Sequence, residues 1–122
     1  MQDLTVDGIV ALHAAIIARD GGDSRIISEA NLLQMVFRAN LITDPLSRAA
    51  LILYSLAAFP AFREGNRRIG QELAFRVLAE GGNTIPEKHA AELGRLADGV
   101  AAFTVGPEDI EAWLAAHANK QG

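Results

Sequence analysis

Asp44-Pro45-Leu46-Ser47-Arg48-Ala49-Ala50-Leu51-Ile52-Leu53-Tyr54-Ser55-Leu56-Ala57-Ala58-Phe59 runs directly into Pro60-Ala61-Phe62-Arg63-Glu64-Gly65-Asn66-Arg67-Arg68. The first part reads as a helix, with Asp44 suited to the N-cap and Pro45 to the first helical position. Leu46, Ala49, Ala50, Leu53, Leu56 and Ala57 follow the helical period, while Ile52 and Phe59 fall on other faces. A helix apolar on several faces is surrounded by protein, so this one is the expected centre of the fold. Pro60 disfavours helix at Phe59 and opens a loop. Asn66 is the expected N-cap of the next helix, which carries Ile69, Leu73, Phe75, Val77 and Leu78 as far as Gly81-Gly82.

Outward from this core the same signals recur. A first helix is expected to begin near Asp7, to turn Ile9, Leu12, Ile16 and Ile17 inward with His13 beside them, and to stop at Gly21-Gly22. A second starts at Ser28 and carries Leu32, Leu33, Met35, Val36 and Phe37. Pro86 begins a fifth, with Leu93 and Leu96 inward, and Gly106-Pro107 a sixth bearing Ile110, Trp113 and Leu114. Trp113 reads as core. Asn83 to Ile85 and Phe103 to Val105 are extended pieces at most.

The chain has 122 residues, half of them apolar, with few aromatics and no cysteine. That length suits one domain over residues 1–122 with a single core. Alanine-rich, aromatic-poor composition favours close helix packing, so the expected fold is an all-α compact bundle of about six helices. No disulfide framework or Cys-based zinc site is available, which suits a reducing cytosol. No secretory signal pattern opens the chain, and Ala49 to Phe62, the longest apolar run, is shorter than the roughly 20 residues a membrane span needs. A cytoplasmic protein with no membrane partner is expected. The net charge of −4 argues against a nucleic-acid partner, because that binding needs a basic surface.

Any basic site is therefore local, and Arg63-Glu64-Gly65-Asn66-Arg67-Arg68 supplies one. The first turn of a helix leaves amide N–H groups unpaired and carries partial positive charge, and Gly65 lets the backbone approach an anion. Arg67 and Arg68 oppose the helix dipole there, which makes better sense with an anion between them. Arginine also grips phosphate through paired hydrogen bonds, and Glu64 is placed to hold Mg2+ on a polyphosphate. The competing reading has these arginines as surface groups paired with Glu64 and Glu72. Glu87, Glu92, Asp98, Glu108, Asp109 and Glu111 read as first-turn or solvated acids without catalytic roles. His13, His89 and His117 are scattered without ligand spacing.

The loop and its flanks resemble the active-site motif of the Fic/Doc family, His-x-Phe-x-(Asp/Glu)-(Gly/Ala)-Asn-(Gly/Lys)-Arg, which here reads Pro60-Ala61-Phe62-Arg63-Glu64-Gly65-Asn66-Arg67-Arg68. The histidine is missing, and Arg67 stands at the Gly/Lys position. Leu12-His13 followed by Gly21-Gly22, the apolar helix before the loop and the Gly81-Gly82 stop also resemble the short Doc-type toxins, so the similarity covers most of the chain.

The resemblance implies a transferase that uses ATP and Mg2+ to modify a protein hydroxyl, by nucleotidyl transfer or, in the Doc branch, by phosphorylation of a translation factor, with a neutralising antitoxin as a further partner. It implies Glu64 as the Mg2+ ligand, Gly65 and Asn66 as the anion turn, Arg68 as the phosphate clamp, Arg67 where Doc-type proteins place lysine, and Phe62 as the loop anchor. Pro60 occupies the place of the general base and has no group that accepts a proton. Base assistance is worth about 10²–10⁴-fold, so little transfer activity is expected. His13 is the first candidate for a replacement base, ahead of His89 and His117 on faces expected to be exposed. Asn40 to Leu46 corresponds to the place of a substrate-docking flap in family members. A binding module that keeps the fold, and an enzyme with another base, are the alternatives.

Overall fold

The computed structural model describes residues 2–120. Among them six helices follow in order: α1 (Val6–Asp20), α2 (Glu29–Leu41), α3 (Pro45–Ala58), α4 (Asn66–Glu80), α5 (Ala90–Ala101) and α6 (Pro107–His117). A 3-10 turn at Glu87–His89 precedes α5. Two short strands, β1 (Asn83–Thr84) and β2 (Asn119–Lys120), pair antiparallel and clip the chain's last described residues to the end of α4.

Helix starts follow from side chains that satisfy the free amides of a first turn. Thr5 Oγ1, Ser28 Oγ and Asp44 Oδ2 accept from the N–H groups of Gly8, Asn31 and Ser47 at 3.0, 3.1 and 2.9 Å. The first helix thus begins at Val6 under Thr5, and Asp7 lies inside its first turn instead of capping it. Gly21, at φ 84°, ends it. For α6, the Gly106 N–H donates to the Asp109 carboxylate at 2.8 Å. Phe103 to Val105 forms no strand, and Phe103 is exposed in the left-handed region at φ 61°.

The central position of α3 is as its sequence predicts. It packs against α2, α4, α5 and α6, while α1 lies on α4 and α2. Ala49, Ala50, Ile52, Leu53 and Leu56 are buried in one continuous core with Leu32, Met35, Ile69, Leu78, Leu93, Ile110, Trp113 and Leu114. The alanines bring backbones close, and each fully buried large apolar side chain contributes about 1.5–3 kcal/mol. On α2 the division is sharper than its composition suggests. Leu32, Met35 and Ala39 face the core, whereas Leu33, Phe37 and Leu41 are more than half exposed.

Arg48, also on α3, is buried and donates through Nη2 to Asn40 Oδ1 at 2.5 Å. Asn40 in turn exchanges hydrogen bonds with both backbone groups of Leu4. Residues 40–46 are therefore a structural joint at the start of α3, and Pro45 lies against Gly81 at the end of α4. They stand at the opposite end of the 14-residue α3 from the Pro60 loop, about 20 Å away along the helix. At that distance the segment does not lie beside the loop. The segment that does lie there is 25–28, whose Ile27 and Ser28 N–H groups both donate to the Ala61 carbonyl, while Arg63 N–H donates to that of Arg25.

Candidate anion site at the start of helix α4

The loop is built around Phe62. Its ring is fully buried and stacks on His13 of α1, with centroids 3.7 Å apart and planes 10° from parallel. His13 Nε2 donates to the Glu64 carbonyl at 2.7 Å, since a carbonyl oxygen can only accept. Asn66 closes the loop from the other side. Its Oδ1 accepts from the N–H groups of Ala61 and Phe62, and its Nδ2 donates to the Phe62 carbonyl at 2.7 Å. Asn66 is thus the first residue of α4 and a staple for the loop, with Gly65 in the N-cap position expected for Asn66.

Gly65 takes φ 82° and ψ 12°, the left-handed conformation that favours glycine. A Cβ there would stand 3.1 Å from His13 Nε2 and 3.2 Å from Ile17 Cδ1. No side chain caps the first turn of α4, in contrast to α1, α2 and α3. The turn's amides are left to backbone or solvent.

Two of the charged residues of the motif converge beside this turn. A Cβ on Gly22 would lie 2.7 Å from Glu64 Oε2 and 3.4 Å from an Arg68 Nη, and one on Gly65 would lie 3.6 Å from the same guanidinium. Gly22, Glu64, Gly65 and Arg68 therefore share one pocket of space. Arg68 is held there by the Gly21 carbonyl at 3.3 Å and by Asp20 at 3.7 Å. Arg67 turns away, to pair with Asp98 of α5. Arg67, Asp98 and Pro60 line a mainly apolar cleft between α3, α4 and α5, with Leu53, Leu56 and Leu93 at its walls. The arginines do not flank a common anion position. Nor do they pair with Glu64 and Glu72, since Glu72 takes Arg76.

Around the rim, Asp23 N–H donates to Glu64 Oε2 at 3.1 Å. Hydrogen bonds from Arg25 to the Asp23 carboxyl, with Arg63 as a further positive neighbour, lower its pKa to about 2. The Asp20 carboxyl is held below the usual range by Arg19 first and by Arg68 to a lesser degree. These are exposed pairs that position side chains more than they stabilise the fold.

Pro60 is exposed, and its carbonyl accepts from Asn31 Nδ2 at 3.1 Å. No histidine takes the place of the missing base. His13 is buried beneath the loop with Nε2 committed to Glu64, and His89 and His117 lie together against Trp113. Those two are half-buried instead of exposed, and with Glu92 they form a cluster that their spacing did not reveal. Gly22 was also missed as a site residue. The signal for it was the doublet itself, since Gly21 alone ends α1. No protein-family model matches this chain, and no match is found among curated proteins.

Proposed function

We propose that this chain is a Fic/Doc-like protein that binds the phosphates of a nucleotide at the start of α4 and has lost most of its capacity for group transfer. The observation that carries the reading is the convergence of Glu64, Gly65 and Arg68 at an uncapped helix start, in the order of the family motif. The amides after Gly65 and the helix dipole attract phosphate oxygens, and Arg68 adds a charge-assisted hydrogen bond. Glu64 supplies one carboxylate to Mg2+, with the nucleotide phosphates and water as its other ligands. Mg2+ would neutralise charge on the polyphosphate. Binding competes with Asp20 for Arg68, which costs little at an exposed pair.

In the order of the family motif Pro60 takes the position of the general base, and neither its ring nor its acylated nitrogen accepts a proton. The expected outcome with ATP labelled at the α or γ phosphate is no transfer to protein in a lysate. Pro60→His is expected to raise transfer above that baseline, with α label for nucleotidyl transfer or γ label alone for phosphorylation. Transfer by the natural chain that disappears in Arg68→Ala would instead establish an active enzyme. The protein target and antitoxin belong to the same proposal. Leu33, Phe37 and Leu41, spaced one turn apart on α2, form an exposed apolar stripe.

A second reading, a protein-binding module without nucleotide, is favoured by one observation. Arg67 and Arg68 each already have a carboxylate partner. It predicts no response to Mg·ATP and partner binding indifferent to Glu64→Ala and Arg68→Ala.

A further inference from the structure

We propose that His89, Glu92 and His117 form a zinc-class divalent metal site that ties the start of α5 to the end of α6. One donor atom from each residue lies within 4.8 Å of the other two, and all three side chains are partly accessible. His89 ends the 3-10 turn before α5, Glu92 lies one turn further on, and His117 is the last residue of α6. α5 and α6 both pack on α3, so a metal here would join two elements that the central helix already holds side by side.

The surroundings orient the ligands. His117 Nδ1 donates to the Trp113 carbonyl at 2.8 Å, which fixes the tautomer and leaves Nε2 as the nitrogen with a free lone pair. Its ring stacks on Trp113 at 4.2 Å, and the His89 ring stands at 71° to it with centroids 4.7 Å apart. His89 Nδ1 is 3.9 Å from Glu92 Oε2. Two imidazoles and one carboxylate are a donor set that suits Zn2+, with a fourth position open to water. Bonds of about 2.0–2.1 Å in a tetrahedron require donors about 3.4 Å apart, so side-chain rotations on the order of 1 Å close the site.

This site is separate from the loop at Pro60, and its test needs no nucleotide. Zn2+ titrated into the untagged full chain, followed by imidazole NMR signals and calorimetry, should saturate at one ion per chain. The His89 and His117 ring signals should move together, while His13, sealed beneath the loop, stays in place. Zn2+ should also raise the melting temperature, because it binds the folded chain. Glu92→Gln, at a partly exposed position, should weaken binding at least about tenfold without unfolding the protein. Failure to saturate, equal response from His13, or full affinity in Glu92→Gln overturns the proposal. The wild-type ring signals decide it even if a histidine variant does not fold.

Discussion

On the inner side of the Pro60–Arg68 loop Phe62 stacks on His13 and Asn66 bonds three backbone groups, whereas on the outer side Glu64, Arg67 and Arg68 stand partly or fully in water. The inner contacts are buried at Phe62 and His13 and part-buried at Asn66. The outer ones lie at the ends of long side chains: Arg67 with Asp98, Arg68 with Asp20 and the Gly21 carbonyl, and Glu64 with the Asp23 N–H. The difference separates shape from charge: the loop keeps its form whatever its charged groups hold, and those groups are free to exchange an internal partner for a ligand at little cost. A binding loop needs both properties, with a rigid backbone to aim the amides and adaptable side chains to close on the guest.

Substitutions that break the inner side should therefore cost stability, and the largest effect is expected for Phe62→Ala. Removing a fully buried phenyl ring and leaving its cavity costs about 3–5 kcal/mol, to be read from the denaturant midpoint. Asn66→Ala should come next, at about 1–3 kcal/mol, since it strips partners from the Ala61 and Phe62 backbone. A neutral outcome for Asn66→Ala would mean that water serves the loop as well as the side chain does. The smallest effect is expected for the pair Glu64→Ala and Arg68→Ala, each within about 1 kcal/mol of the parent in stability. Arg68→Ala destabilising as much as Asn66→Ala would erase the distinction between the two sides.

The helices were legible because their signals are local. Ser28 and Asp44 cap amides three residues away, Gly21 ends α1, and the several apolar faces of α3 announce its central place. Thr5 displaced Asp7 because a hydroxyl on the preceding extended residue reached the Gly8 amide first. In the loop, the order Phe62, Glu64, Gly65, Arg68 was readable as a motif, whereas the left-handed conformation of Gly65 was not part of that reading. Two adjacent arginines at a helix start suggest an anion between them, but neighbours on a helix point about 100° apart, and Arg67 and Arg68 go to separate partners, Asp98 and Asp20. What the chain's order conceals is tertiary. The stacking of His13 under Phe62, the strand-like support from 25–28 and the meeting of His89 with His117 all depend on how distant segments pack, and no spacing rule reports them.

Amide NMR during a titration with Mg·ATP tests the central claim most directly. The account predicts saturable shifts concentrated at Gly65, Asn66, Arg67 and Arg68, with affinity reduced about tenfold to a hundredfold in Arg68→Ala, the cost of one charge-assisted hydrogen bond. Amides at the start of α4 that stay in place at saturating nucleotide, or that move equally in Arg68→Ala, would contradict it.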